Sequence, residues 1–239
     1  MQVANLSDRS YNVLLQMPVR APSNQRDFTP AVPLLCAYDL IVAAFTRESK
    51  WRAALLRQLD PQPSDIVADI GCGTGSFLAL IGKSVKSVSL IGIDPDSRIL
   101  LRAGRKFAAA GLTARFSQGY LRESRTLLAG AGVNKIVSSL VFHQVPLAEK
   151  HAGLAGIFSV LGPGGELHIA DYGLQRTHLM RCLFRFVQCV DGYKDTQLNA
   201  DGILPSLMKE AGFVEVKETS VIPTLTGSIS LHKAIRQPI

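Results

Sequence analysis

The chain has 239 residues, a length that fits one domain or one domain with a modest cap. With 47% hydrophobic and 19% charged residues it can bury a sizeable core, which excludes intrinsic disorder as a description of the whole. A formal charge of +7 keeps nucleic acid and anionic substrates open until its location is known. The whole excess equals the contribution of residues 76–135, where 10 basic residues face 3 acidic ones.

The first thirty residues carry Asp8, Arg9, Asn12, Arg20, Asn24 and Asp27 without an apolar run, so no signal peptide is expected. No stretch approaches eighteen uninterrupted apolar residues, so no transmembrane segment is expected and the expected location is the cytoplasm. Cys36, Cys72, Cys182 and Cys189 form no CxxC pair; neither a disulfide framework nor a metal site is expected.

Residues 31–59 have a helical apolar pattern through Leu34, Leu35, Tyr38, Ile41, Val42, Phe45, Trp51, Leu55, Leu56 and Leu59. From residue 61 onward, short apolar runs alternate with helical stretches. Strands are predicted at 65–70, 88–94, 114–118, 134–141 and 166–171, with helices at 76–83, 97–110, 147–160 and 204–211. Two alternating segments, 214–219 and 228–234, read as an antiparallel pair at a sheet edge. The βαβ order predicts an α/β fold: a doubly wound, Rossmann-like, mostly parallel sheet with helices on both faces. Residues 1–60 are expected to form an N-terminal helical cap. Residues 174–199 are expected to be a helical lid insertion in the 61–239 domain, both segments packing across the carboxyl ends of the strands.

Asp69-Ile70-Gly71-Cys72-Gly73-Thr74-Gly75 follows the first strand and precedes a helix. Alternate glycines allow a sharp turn and close approach to a ligand, and the helix amino end favours an anion or carboxylate there. Asp94 ends the second strand, 25 residues after Asp69, where an acid accepts ribose hydroxyls; a helix N-cap is the plainer use. A nicotinamide fingerprint fits poorly, because Phe77 stands near where the third glycine belongs, and no GKS or GKT follows for a P-loop. Asp69 would repel a diphosphate and suits an ammonium group.

These residues resemble motif I of the class I S-adenosylmethionine-dependent methyltransferases. Ile91-Gly92-Ile93-Asp94 is similar to their ribose-binding acid motif, and residues 136–143 to their fourth strand and loop. Leu161-Gly162-Pro163-Gly164-Gly165-Glu166-Leu167 and Leu207-Met208-Lys209-Glu210-Ala211-Gly212-Phe213 resemble the turn before the fifth strand and the last helix with its turn. The likeness covers about 61–235, and its flavour is that of the ubiquinone/menaquinone C-methyltransferase-like branch, which Tyr38-Asp39 also fits. It implies a seven-stranded sheet, S-adenosyl-L-methionine as cofactor and S-adenosyl-L-homocysteine as product. Gly71, Cys72, Gly73 and Gly75 would hold the methionine portion with Asp69 near its ammonium group, and Tyr38 would close over the cofactor. Asp94 would hold the ribose, Pro95 and Asp96 would flank the adenine, and Gln118, Gly119 and Tyr120 would meet it. Tyr120 departs from the pattern, standing where an acid is common. Ser138, Ser139 and His143 would line the reactive end.

A sulfonium methyl is already activated, so the protein must align a nucleophile and exclude water. His143 is the candidate general base, against a packing or hydrogen-bonding role. Asp171 and Tyr172 are candidate substrate contacts, whereas Arg181 and Arg185, sharing a helix face, read as solvated. No Asn/Asp-Pro-Pro-Tyr follows the fourth strand, which counts against exocyclic amines. The apolar, aromatic lid segments suit a small apolar or aromatic acceptor, methylated at oxygen or carbon. RNA methylation, suggested by the Arg98, Arg102, Arg105 and Lys106 stripe, lacks interleaved stacking aromatics, so no nucleic-acid partner is expected. A non-catalytic cofactor-binding regulatory protein is the other alternative. Oligomeric state is not legible.

Overall fold

The computed structural model describes residues 46–237. In chain order the elements are α1 (Glu48–Leu59), β1 (Ile66–Ile70), α2 (Ser76–Ser84), β2 (Ser89–Asp94), α3 (Ser97–Ala109), β3 (Arg115–Gln118), α4 (Ser124–Leu127) and β4 (Lys135–Ser139). These are followed by α5 (Leu147–Val160), β5 (Glu166–Tyr172), α6 (His178–Asp191), α7 (Tyr193–Ala200), α8 (Leu204–Glu210), β6 (Val214–Thr224) and β7 (Gly227–Ile235). The strands form one seven-stranded sheet in the order β3-β2-β1-β4-β5-β7-β6. β1 to β5 are mutually parallel, and β7 runs antiparallel to both of its neighbours. This is the doubly wound, mostly parallel architecture with an antiparallel edge pair that the sequence predicts.

The apolar strand faces separate two cores. On one face Val67, Val137 and Ala170 meet Phe77, Leu78 and Ile81 of α2 and Leu100, Ala103 and Phe107 of α3. On the other, Ala68, Ile136, Leu167 and Ile169 meet Leu154 and Ile157 of α5 and Leu204, Leu207 and Met208 of α8. Strand periodicity of two and helix periodicity of 3.6 therefore build a three-layer domain.

Three elements differ from expectation. β4 stops at Ser139 rather than Val141, because Leu140 takes φ 56° and turns the chain out of the sheet. β6 continues through Pro223 to Thr224; as the outermost strand it tolerates a residue without an N–H. Between β3 and β4 lie a 3₁₀ turn at Leu121–Glu123 and α4, which the sequence pattern did not announce.

The expected N-terminal cap needs correction where it is described. Residues 31–45, Tyr38 among them, lie outside the described residues. α1 does not cross the carboxyl ends of the strands; it packs along β5 and β7. Trp51, Leu55 and Leu59 are buried with the α2 side of the core. Gln58 Nε2 donates to the His232 carbonyl at 2.9 Å and meets His168 Nδ1 at 3.1 Å. At its far end the Lys135 ammonium binds the carbonyls of Leu59 (3.0 Å) and Asp60 (2.8 Å) and the Asp65 carboxylate (2.9 Å), so one lysine caps α1 and ties it to the start of β4. Trp51→Ala is therefore expected to cost about 3–5 kcal/mol, the usual range for emptying a buried aromatic site. Urea denaturation checks this; a change below about 1 kcal/mol would show α1 to be an appendage.

Candidate functional site

The site is built at the carboxyl ends of β1 and β4. Gly71 leaves β1 with φ 77°, and a Cβ there would lie 2.1 Å from Val141 Cγ2. Glycine is thus required twice, by the backbone angle and by a valine from the neighbouring turn. Gly73, at φ 52°, has nothing within 4 Å of its would-be Cβ, leaving backbone open toward the space above the sheet. Gly75 caps α2, and its N–H closes the turn onto the Cys72 carbonyl at 2.9 Å. Cys72 turns inward, its thiol over Gly92, where burial, Asp69 and Asp94 push its pKa up. It can offer a ligand only backbone.

Two carboxylates flank this loop. Asp94 is buried at the end of β2, its oxygens accepting from Gly73 N (2.9 Å) and Asp96 N (3.0 Å). It thereby clamps the glycine loop while each oxygen keeps a lone pair for an outside donor. Burial raises its pKa and the backbone hydrogen bonds oppose that rise. The helix N-cap is Asp96, which accepts from Arg98 N at 2.8 Å. Asp69 differs sharply: it is 1% exposed and its Oδ1 has no hydrogen-bond partner. Burial pushes its pKa up to about 7, assisted by Asp94 and opposed by Arg52.

Beyond Asp94, Gln118 Nε2 donates to the Pro95 carbonyl at 2.9 Å, joining the ends of β2 and β3. A side chain on Gly119 would strike Leu127 at 2.4 Å. Tyr120 lies under the Arg122 guanidinium, 4.4 Å from the ring centroid, and its N–H donates to Glu123 Oε2 at 2.9 Å. Pro95, Gln118, Gly119 and Tyr120 thus form one rim beside Asp94.

The turn after β4 departs from expectation. Ser138 is fully buried and its hydroxyl donates to the Ile70 carbonyl at 2.8 Å, so it braces β1 instead of facing open space. Ser139 is half-buried at the strand end. His143 is 4% exposed and lies between two carboxylates, Nδ1 2.7 Å from Asp171 Oδ1 and Nε2 3.3 Å from Asp191 Oδ2. Burial alone would lower its pKa; the two carboxylates outweigh it and raise it to about 9. With both nitrogens donating, the ring has no lone pair at neutral pH, so the expected general base is an imidazolium clasp. Asp171 is also spoken for: besides His143 it accepts from Val141 N (2.9 Å), Phe142 N (2.6 Å) and Tyr172 N (2.7 Å). The Tyr172 hydroxyl pairs with Thr226 at 2.7 Å. Both are framework, not substrate contacts.

Several participants escaped the sequence reading. Lys106 donates to the hydroxyls of Thr74 (2.9 Å) and Ser76 (2.7 Å), bracing the glycine loop. Lys150 is fully buried, its ammonium held by the carbonyls of Phe142, Val145 and Asp195, and burial pulls its pKa down to about 8. A signal was present: Lys150, Leu154 and Ile157 recur at the spacing of one helix face. Asp191 likewise follows Phe184 and Val187 on the buried face of α6.

Residues 67–165 match the family model described as methyltransferase domain. The chain is 24% identical to the ubiquinone/menaquinone biosynthesis C-methyltransferase UbiE of Geotalea daltonii, over 62% of this chain and 64% of that protein. It is 26% identical to the demethylmenaquinone methyltransferase of Corynebacterium kroppenstedtii, over 83% and 89%. A solved S-adenosylmethionine-dependent methyltransferase from Methanosarcina mazei superposes with a TM-score of 0.61 at 20% identity, over 77% of this chain and 98% of that one.

The unpaired Asp69 has a measurable consequence without any ligand. A carboxyl whose pKa folding raises from 3.8 to about 7 binds more protons folded than unfolded, so stability is lost as pH rises through that window. Asp69→Asn is expected to remove this loss. The ligand-free variant should be more stable than the wild type by about 1–3 kcal/mol at pH 8, with the gap narrowing as pH falls from about 7 toward about 4. Thermal melts across pH decide it, and a gap unchanged with pH contradicts the assignment.

Proposed function

We propose that this chain, a class I S-adenosylmethionine-dependent methyltransferase, transfers the methyl group to a small apolar or aromatic acceptor at oxygen or carbon. The observation that carries the reading is the pairing of an unsatisfied buried carboxylate, Asp69, with a clamped one, Asp94, on either side of an open glycine loop. These residues fit the cofactor. Asp69 Oδ1 lacks the donor that an ammonium group supplies, Gly73 leaves room for close approach, and Asp94 has lone pairs left for ribose hydroxyls. Pro95, Gln118, Gly119 and Tyr120 would border the adenine, and Ser139 would stand near the reactive end. When bound, the cofactor supplies a methyl group already activated by its positive sulfur.

The chain's own residues then have three tasks. The glycine loop and two acids fix the donor, the Leu140–His143 turn shapes the floor beside it, and α6 and α7, packed on β7 and on the turn after β4, help to exclude water. In the transfer, a lone pair or π electrons of the acceptor form the new bond to the methyl carbon. The bound cofactor would supply that methyl group and take back the electrons of the bond given up, and the acceptor would give its proton to bulk solvent. Because His143 holds its proton at neutral pH, the reading favours acceptors acidic enough to ionise unaided, such as phenols or enols, including the electron-rich ring carbons of hydroquinones. The names of the relatives above support an apolar acceptor.

Calorimetric titration with S-adenosylmethionine tests the site. Asp94→Ala is expected to weaken binding about 100-fold or more, as loss of two hydrogen bonds to a charged group implies; unchanged affinity would sink the assignment. Wild-type affinity should rise roughly tenfold per pH unit from 5.5 to 7 as Asp69 ionises, then level off, and Asp69→Asn should flatten that slope. Methyl incorporation from labelled cofactor into phenols and hydroquinones, against amines and RNA, tests the acceptor; label in amines or RNA alone would overturn it.

A further inference from the structure

We propose that Asp191, at the end of α6, is a positioning residue for methyl transfer: through His143 and Asp171 it holds the Leu140–His143 turn against the glycine loop. The chain of contacts is continuous. Asp191 Oδ2 takes the His143 Nε2–H at 3.3 Å, and His143 Nδ1 donates to Asp171 Oδ1 at 2.7 Å. Asp171 Oδ2 in turn fixes the N–H groups of Val141 and Phe142. Val141 then fills the space that a side chain on Gly71 would need. Leu140 is held at φ 56°, a conformation that costs about 1 kcal/mol or more for a non-glycine residue and persists only where its surroundings enforce it.

Every element around the imidazole contributes. Asp171 approaches from β5 and Asp191 from α6, while the Tyr172 ring packs edge-on at 5.0 Å. From α5 the Lys150 ammonium binds the Phe142 carbonyl within the turn and the Val145 carbonyl just after it, and also the Asp195 carbonyl of α7 at 3.1 Å. The Asp195 carboxylate bears on Lys150, and His232 of β7 bears on Asp171 from the far side. Two cations, His143 and Lys150, thus hold the Leu140–His143 turn and the residues just after it to the two helices α6 and α7. Removing one partner of such a buried set is expensive because the other charge remains in the interior. Asp191 is the outermost member, with a side chain 13% exposed, so it can be altered with the least damage to the core.

The inference rests on the proposed reading only for the identity of the ligand above Gly71. NMR titration of His143 is its first readout and needs neither cofactor nor turnover. The wild-type imidazole is expected to titrate near pH 9, and Asp191→Asn, which keeps the shape and removes the charge, should lower that value by about one unit. In the same variant the alkaline limb of the kcat/KM profile should move down by the same interval. At pH 9 kcat should drop about fivefold, and at pH 8 about twofold, against a smaller change in cofactor affinity, with Asp191→Glu restoring most of the loss. A His143 titration unmoved by Asp191→Asn overturns the proposal, as does a shifted titration that leaves the kinetic profile in place. If instead Asp94→Ala leaves cofactor affinity unchanged, the reading of the ligand fails while the NMR result on the clasp still stands.

Discussion

The structure depends on one close approach, between the ends of β1 and β4. These strands are neighbours in the sheet, yet the chain leaves them toward opposite faces, to α2 on one side and α5 on the other. A crevice must open where the two connections part, and an open α/β sheet binds ligands there. Here the crevice floor is set by the fit of Val141 against Gly71, possible because Gly71 has no Cβ. The clamp of Asp94 on Gly73 fixes the loop from the β2 side, and the hold of Asp171 on Val141 fixes the turn from the β5 side. The ligand-facing backbone lies between two carboxylates, each anchored in its own strand.

How much of this is legible in the sequence follows from the range of the interactions. Asp69, Gly73 and Asp94 belong to one βαβ unit, so strand pattern, turn glycines and spacing place them together without tertiary knowledge. The antiparallel edge pair is equally local, and only its length was misjudged, because Pro223 reads as a breaker until β6 proves to be an edge. His143 is different. Its nature as a cation rather than a base comes from Asp171 and Asp191, 28 and 48 residues away, and no local pattern states that either points at it. The placement of α1 failed for a related reason. Trp51, Leu55 and Leu59 define a face that must be covered, but a face does not name its cover; β5 and β7, more than a hundred residues later, provide it.

The basic excess of residues 76–135 acquires a structural meaning. Arg98 pairs with Asp96, Arg122 with Glu149 and Lys135 with Asp65, while Lys106 holds two hydroxyls of the glycine loop. Part of the charge that kept polyanions open is spent on joining helices and loops of this half of the fold to one another. The other basic residues of the segment, Lys83, Lys86, Arg102, Arg105, Arg115 and Arg125, are spread over α2 and the turn after it, α3, β3 and α4. Among the described residues no helix is long and apolar enough to cross a membrane.

Two aspartates show where framework ends and site begins. Asp69 and Asp171 each stand one residue before the end of a central parallel strand, β1 and β5, and both are buried. They project to opposite faces, Asp69 in phase with Val67 and Asp171 with Leu167 and Ile169. Asp171 accepts four donors from the protein; Asp69 Oδ1 accepts none. A buried carboxylate without a donor is costly, so a fold that had no use for Asp69 would be better served by an uncharged side chain there. The satisfied acid is complete within the chain and can only hold it together. On the proposed reading the unsatisfied one is completed by a donor from outside, and burial favours a cationic group over water, because the interior strengthens charge pairing. Hydrogen-bond satisfaction, not residue type or strand position, therefore separates the two roles.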